Sequence, residues 1–495
     1  MSNGIINISM LHSYIEIILI LFLYISMNTL LGTKKNIIIF GDIMMDVNIH
    51  GKINRMANES PIPILVQENV RNILGGCGNV LMNLQSLGCE KLFIFSRVGN
   101  DSYGKEITHT LSQYNEIEQH IYKDDSYTTV TNIRGFSQKK LMFRYDIENS
   151  VELLEEHINH INHAIETIIK SNKIDAIIFS DYNRGFLVEK NTQHIIQLAN
   201  THNVPTFVDT KSDYKKYIGC TMIKPNMKEL LDVFGLRFSF SNLDTIHRSI
   251  KESVQCKETL ITLSEHGMTY STENNHIINE KANKSDVIDV TGAGDVVLSI
   301  ISYCYNSISK EEILKLATHM GTLSVQYAGV YVMKPYDILK AHRILNRNKV
   351  ITIDKVKYIT TSIVFTNGCF DILHEGHMAL LQFCNSIKPH GGEVLVAINS
   401  DESVRKLKGP TRPINDERAR IAILNNIESV DWILVFKEDT PHEILEQIRP
   451  HTLVKGGDYT VEQLPGREFC ENVKIFTYID GKSTTAIVHK INTAI

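Results

Sequence analysis

The sequence predicts an α/β protein: a large domain built on a mostly parallel sheet covered on both faces, then a smaller domain of similar construction. Three observations carry this prediction. From Asn36 onward, short β-branched runs alternate with amphipathic stretches, the pattern of strand–helix–strand units. The alternation breaks over the polar, aperiodic "NRNKVITIDKVKY" and then restarts. Two glycine-containing segments, "DVTGAGDVV" and "FTNGCFDILHEGH", each lead into a helical pattern, and such junctions present backbone amides to anions.

In the larger domain, strands are expected at "NIIIFGD", "KLFIFSRVG", "DAIIFSDY", "PTFVDT", "CTMIKPN" and "TLITLSEHG". Helical periodicity covers residues 78–87, 187–200, 227–234, 295–305 and 311–326. In the smaller domain, strands are expected at "SIVFTNG", "EVLVAIN", "DWILVF", "TLVKGGD" and "VKIFTY". The expected divisions are an apolar extension over 1–34, the first domain over 35–340, a linker over 341–358 and the second domain over 359–495.

The extension contains "SYIEIILILFLYISM" at 13–27. It lacks the basic start and small-residue cleavage site of a secretory signal, and its apolar core is short for a membrane span and carries Glu16. Three readings stand: translation starting at Met27, a membrane anchor, or a packed helix. Lys34 and Lys35 follow directly, so an anchor would leave the rest of the chain in the cytosol. Composition points to the same compartment. A hydrophobic fraction of 43% and a charged fraction of 22% describe an ordinary soluble protein. The eight cysteines are scattered without a CxxC pair or zinc-ligand spacing, which favours reduced thiols and no structural metal. A net charge of −5 gives no reason to expect nucleic acid.

In "DVTGAGDVV", Gly292, Ala293 and Gly294 offer unobstructed amides where a helix begins, a suitable hole for a transferring phosphoryl group. Asp295 stands at its mouth and could accept the proton of an attacking sugar hydroxyl. Taken alone, "GAGD" is equally a tight turn capped by an aspartate. Its companions add chemistry. "GDIMMD" supplies Asp42 and Asp46 as short acceptors for sugar hydroxyls, and "GGCGN" presents Gly75, Gly76 and Asn79 where backbone can approach a ligand. "KPNMKEL" places Asn226, Met227, Lys228 and Glu229 at a strand end.

This set, in this order, resembles the ribokinase-type family of carbohydrate kinases. The resemblance implies a ribokinase-like fold, Asp295 as the base and Gly292–Ala293–Gly294 as the anion hole. It further implies Asn226 to Glu229 near the ATP phosphates and Mg2+, and Asp42, Gly75, Gly76 and Asn79 facing the sugar.

In the smaller domain, His374 and His377 are three apart and share a helix face. A zinc motif of the HExxH kind needs four. Asn367 and Gly368 after a strand, with a helix following, suit a triphosphate, and imidazoles can stabilise charge as pyrophosphate leaves. Phe370 and Asp371 belong to the same loop; Asp401, Lys408, Arg412, Lys455, Asp458, Ser483 and Thr484 follow in "INSDESVRKLKGPTRP", "VKGGDY" and "DGKSTT". A solvated basic face would explain the lysines by themselves. Together with HxGH, the segments resemble the Rossmann-like cytidylyltransferase-type nucleotidyltransferases, whose HxGH and late "STT" contact nucleotide phosphates.

Kinase first and transferase second, the chain resembles the bifunctional enzymes of ADP-heptose synthesis. That implies phosphorylation of D-glycero-β-D-manno-heptose 7-phosphate at O1 by Mg-ATP. Adenylyl transfer from ATP to heptose 1-phosphate would follow, in a cytoplasmic homodimer serving lipopolysaccharide core assembly. A sugar carrying a 7-phosphate demands cations, and Arg134, Arg144 and Arg184 are the candidates. The sequence departs from the family pattern at Asn132 and Arg184, where lysine is usual, at Val325, where asparagine is usual, and at Met333, where glycine is usual. Three alternatives stay open: another sugar or polyol kinase fused to a different nucleotidyltransferase, an active transferase behind a non-catalytic kinase-like dimerisation module, and a membrane-tethered scaffold should the apolar extension be translated.

Overall fold

The computed structural model describes residues 31, 34–138, 140–211, 213–457, 459–477 and 493. The apolar segment 13–27 therefore lies outside the described residues, as do Asp458, Ser483 and Thr484. No helix among the described residues is long and apolar enough to cross a membrane. The chain divides into two compact units between Ala341 and His342.

The N-terminal unit is built on a nine-stranded sheet. Its order runs Ile277–Glu280, Met268–Ser271, Glu258–Thr262, Met222–Ile223, Thr206–Thr210, Ala176–Asp181, Asn36–Gly41, Lys91–Gly99 and Ile117–Asp124. Pairing is parallel except at the Glu258–Thr262, Met268–Ser271 and Ile277–Glu280 end. The central strands are buried on both faces, which is why they read as continuous apolar runs without alternation. Phe40 stacks on Phe95 at 4.5 Å and on Phe179 at 5.8 Å between ring centroids. Helix Glu155–Ser171 covers this core with Ile158, Ile161, Ile165 and Ile168, spaced three or four apart. The first strand lies between strands that come later on each side, so loops at the carboxyl ends diverge there and open a crevice.

A second sheet of four strands, in the order Pro63–Gly76, Ile43–Met56, Thr131–Ser137 and Lys140–Ile147, belongs to the same unit. Sequence patterning does not reveal it. Most of Pro63–Gly76 and Lys140–Ile147 is exposed, so no apolar face alternates with a polar one. Its ends are nonetheless buried: Met45, Val47 and Leu74 are in the core.

The C-terminal unit has five parallel strands, ordered Trp432–Phe436, Glu393–Asn399, Ile363–Gly368, Thr452–Gly456 and Asn472–Phe476. Ile363–Gly368 comes first in the chain yet lies in the middle, so the strand order reverses at its carboxyl end. The HxGH loop leaves from that point. The stretch 341–358, expected to be a linker, is folded into this unit instead. Helix Pro335–Asn346 enters it, Val350 bridges to Ile433, and the Ile351 amide donates to the Ile433 carbonyl at 2.9 Å. The stretch looked structureless because it is made of short pieces, the end of helix Pro335–Asn346, an edge contact at Val350 and the four-residue helix Ile353–Val356, none long enough to carry a period.

Phe179→Ala should lower stability by about 3–5 kcal/mol through lost burial and the cavity left beside Phe40. Denaturant unfolding followed by far-ultraviolet circular dichroism would read the shift.

Candidate active sites

The crevice of the N-terminal unit is a cavity of about 1520 Å3. Single-ligand pockets run to roughly 300–1,000 Å3, so there is room for a nucleotide and a sugar together. Gly292, Ala293, Gly294 and Asp295 form part of its wall, as do Asn226 to Glu229 and Asp46, Gly76, Arg134, Arg144 and Arg184.

Helix Ala293–Cys304 starts at Gly292, whose φ of 78° is left-handed, and a Cβ there would lie 2.7 Å from the Asn79 amide nitrogen. Only glycine satisfies both constraints. The next turn then brings Asp295, 2% exposed, against two donors. Asn79 Nδ2 donates to Oδ2 at 2.9 Å and the Tyr182 hydroxyl donates to Oδ1 at 2.9 Å. Burial pushes the Asp295 carboxyl up to about 6, against the two hydrogen bonds and with Asp209 adding to the rise. It is ionised at neutral pH yet still able to take a proton.

Asn226 and Glu229 form a capping box for helix Met227–Asp232. The Asn226 side chain accepts from the Glu229 amide at 2.9 Å, and Glu229 accepts from the Asn226 amide at 2.9 Å. Their spacing therefore has a local structural cause, although both face the cavity. Asp46 accepts from Arg134 and, at 3.1 Å, from Asn132. A Cβ on Gly75 would fall 2.0 Å from Asp46 Oδ2, so the glycine makes room for the carboxylate. Arg144 donates to Asp146 at 2.8 Å and Arg184 pairs with Glu148. All three arginines thus stand at the cavity with a carboxylate already beside them.

Three residues expected to face the sugar are not among those lining the cavity, and each has contacts within the protein. Asp42 turns its carboxylate to the loop after Ala176–Asp181, accepting from the amides of Tyr182 at 2.9 Å and Arg184 at 3.1 Å. Burial, then the neighbouring Asp181, raises its carboxyl to about 6. Asn79 is committed to Asp295, and Gly75 acts through Asp46. Of the departures from pattern, Asn132 and Val325 line the cavity. Met333 is buried elsewhere, its amide donating to Asn83 Oδ1 at 2.8 Å.

Sequence reading missed four cavity residues. Tyr182 ends the expected strand "DAIIFSDY" and Lys224 lies within "KPNMKEL", but neither carried a signal of its own; nor did Asp209 and Lys211. Lys224 is 3% exposed on its side chain and pairs with Asp209 at 2.9 Å. Burial works against its charge, but Asp209, Glu229 and Asp295 outweigh that and its pKa stands above the ordinary value.

In the C-terminal unit, His374 caps helix Glu375–Ile387 and its ring stacks on His377 at 3.8 Å. Burial, then His374, lowers His377 to about 4, and burial lowers His374 as well. Both are neutral donors or acceptors at pH 7. Phe370, with φ of 46°, packs its ring 4.9 Å from His377. Lys455 Nζ donates to the Asn367 carbonyl at 3.2 Å and to Asn367 Oδ1 at 3.0 Å. Burial brings Lys455 down to about 8, with Lys408 contributing in the same direction.

Asp371 ties down the loop that carries Arg412. It pairs with Arg412 and accepts from the amides of Ile414 at 2.8 Å and Asn415 at 2.9 Å. Asp401 accepts from Arg420 at 2.7 Å. Arg420, fully buried, also donates to the carbonyls of Cys369 at 2.8 Å and Asn399 at 2.7 Å, clamping the ends of two adjacent strands. It went unnoticed because a buried arginine and a surface one look alike in "NDERAR".

The crevice with a buried carboxylate at a glycine-started helix, and the paired imidazoles at a sheet's reversal point, define a carbohydrate kinase joined to a nucleotidyltransferase. A pfkB family carbohydrate kinase model matches residues 34–336, and a cytidylyltransferase-like model matches residues 365–482. "Bifunctional protein HldE" of Aliarcobacter butzleri is 34% identical over 476 residues, covering 93% of this chain and 98% of that protein. The protein of the same name from Campylobacter fetus is 34% identical over 466 residues, covering 92% and 99%. The chain belongs to this family of bifunctional HldE proteins. Phosphofructokinase-2 from Escherichia coli, crystallised with fructose-6-phosphate, shares the kinase fold. Its TM-score is 0.52 at 16% identity, over 63% of this chain and 100% of that one.

Because the folded state holds the Asp295 proton more tightly than the unfolded chain, wild-type stability from this group is full below pH 4 and is lost as pH rises through about 6. Asp295→Asn should therefore gain about 2 kcal/mol over the wild type between pH 4 and pH 7. Urea unfolding of both proteins across that range is the check.

Proposed function

We propose that this chain catalyses two steps of ADP-heptose synthesis. The N-terminal unit transfers the γ-phosphoryl group of ATP to O1 of D-glycero-β-D-manno-heptose 7-phosphate. After a separate phosphatase removes the 7-phosphate, the C-terminal unit transfers AMP from ATP to heptose 1-phosphate and releases pyrophosphate. The observation that carries the first step is Asp295, buried between two donors on the wall of a cavity large enough for both substrates.

In the kinase, the O1 proton passes to Asp295 as O1 bonds to the γ-phosphorus and ADP departs. Gly292, Ala293 and Gly294 receive the transferring phosphoryl oxygens, and Lys224 stands beside Gly294 to offset their charge. The sugar lies toward Asp46, with Arg134, Arg144 and Arg184 available to its 7-phosphate.

Among the described residues no cluster of three or more His, Cys, Asp or Glu is arranged for a metal. Mg2+ fits nevertheless, since it binds through one or two carboxylates, waters and substrate phosphates. Burial, then Asp209, raises the proton affinity of Glu229, a crowding of oxygen donors that a divalent cation would relieve. Glu229 and Asp209 would hold it, and it would neutralise phosphate charge.

In the transferase, the acceptor phosphate is already anionic and needs no base. Neutral His374 and His377 donate to the α-phosphate as negative charge builds, while Lys455, Lys408 and Arg412 offset the triphosphate. Catalysis takes place in the cytoplasm. Two copies pair through the four-stranded sheet, where Leu141, Phe143 and Tyr145 stand exposed at alternate positions.

The test is mass spectrometry of the protein with Mg-ATP, heptose 7-phosphate and an added heptose-bisphosphate phosphatase. Wild type should yield ADP-heptose. Asp295→Asn should slow the kinase step by roughly 10²–10⁴-fold yet still convert supplied heptose 1-phosphate. His377→Asn should do the reverse, accumulating heptose 1-phosphate with adenylyl transfer down roughly 10²–10³-fold. No product from either sugar phosphate would overturn the assignment.

A further inference from the structure

We infer that Tyr182 is a positioning residue for the kinase base, its hydroxyl holding the Asp295 carboxylate in the orientation that receives the sugar proton. The inference rests on the role proposed above for Asp295. Each Asp295 oxygen has its own donor, Asn79 on Oδ2 and Tyr182 on Oδ1, both at 2.9 Å. Of these two donors Tyr182 is the one on the cavity wall. It therefore approaches the carboxylate from the side where substrate arrives, while Asn79 supports it from behind.

Tyr182 is itself fixed at three points. Its amide donates to Asp42 Oδ2 at 2.9 Å, and Lys211 Nζ lies 4.0 Å from its ring centroid. The next residue, Asn183, has φ of 60° and donates its amide to Asp181 Oδ1 at 2.8 Å. Asn79 is equally constrained, since its Oδ1 accepts from Asn83 Nδ2 at 2.9 Å. A carboxylate gripped by two rigid donors cannot rotate away when the sugar binds, and such orientation is worth orders of magnitude in rate. The phenol neither gains nor loses a proton in the step. Burial, then the Asp295 charge, keeps it protonated well past its ordinary range.

The same bond sets the proton affinity of the base. Other groups facing Asp295 are Asp209 and Lys211 at the end of Thr206–Thr210, Lys224 ahead of Met227–Asp232, and the Cys77 thiol from Cys77–Ser86. Tyr182→Phe leaves all of them in place and removes one donor to the ionised form. The Asp295 proton should then be held more tightly.

The experiment is the pH profile of kcat/KM for heptose 7-phosphate in wild type and Tyr182→Phe, with adenylyl transfer from heptose 1-phosphate assayed on the same samples. The acid limb should move up by roughly one pH unit. KM for ATP and adenylyl transfer should stay unchanged. If the limb stays where the wild type has it, Tyr182 is only a wall of the cavity and the inference falls. A wild type inactive on this sugar would count against the substrate assignment instead. In that case carboxyl-13C NMR of aspartate-labelled protein, with Asp295→Asn identifying the resonance, reads the same shift without turnover. An unmoved titration there also overturns the inference.

Discussion

The N-terminal unit is arranged around a carboxylate that has lost its water. Asp295 reaches its place because Gly292 lets the helix begin in a left-handed turn against Asn79. Once buried, the charge is tolerated only with donors on both oxygens, and those come from two other parts of the chain. Asn79 lies on the helix that follows strand Pro63–Gly76; Tyr182 lies on the loop that Asp42 secures. The first strand, the helix at Cys77–Ser86 and the loop after Ala176–Asp181 are thereby tied to one atom group.

Other carboxylates hold loops in each unit. Asp42 holds two amides of one loop, and Asp371 does the same for the loop carrying Arg412. A carboxylate accepting backbone amides fixes a loop more firmly than a neutral side chain would. Cations stand beside them: Arg134, Arg144 and Arg184 on the cavity wall of one unit, Lys408, Arg412 and Lys455 in the other. Several carry an internal partner, which limits the cost of burying them before an anionic substrate arrives.

The two units solve phosphorus chemistry differently, and the difference follows from their nucleophiles. A sugar hydroxyl must lose a proton to attack phosphorus, and burial has brought the Asp295 carboxyl near 6, a range suited to taking one. A phosphate needs no base. The transferase instead lowers the proton affinity of His377 to about 4 by burial and by stacking it on His374. The imidazoles therefore stay neutral at pH 7.

The alternation of buried runs such as "NIIIFGD" and "EVLVAIN" with helical periods determined both parallel sheets, because strands covered on two faces must be apolar throughout. Glycine placement likewise marked the start of helix Ala293–Cys304, where a left-handed φ and the nearby Asn79 leave no room for a Cβ. Local pattern could not reveal the four-stranded sheet, whose strands Pro63–Gly76 and Lys140–Ile147 expose most of their residues, nor the folding of 341–358 onto the edge strand Trp432–Phe436. It also could not tell that Asp42 faces a loop, that Tyr182 faces Asp295, or that Arg420 is buried. Those assignments depend on which groups meet across more than a hundred residues of chain or across a strand pair. Only the packed structure decides where such desolvated charges find their partners.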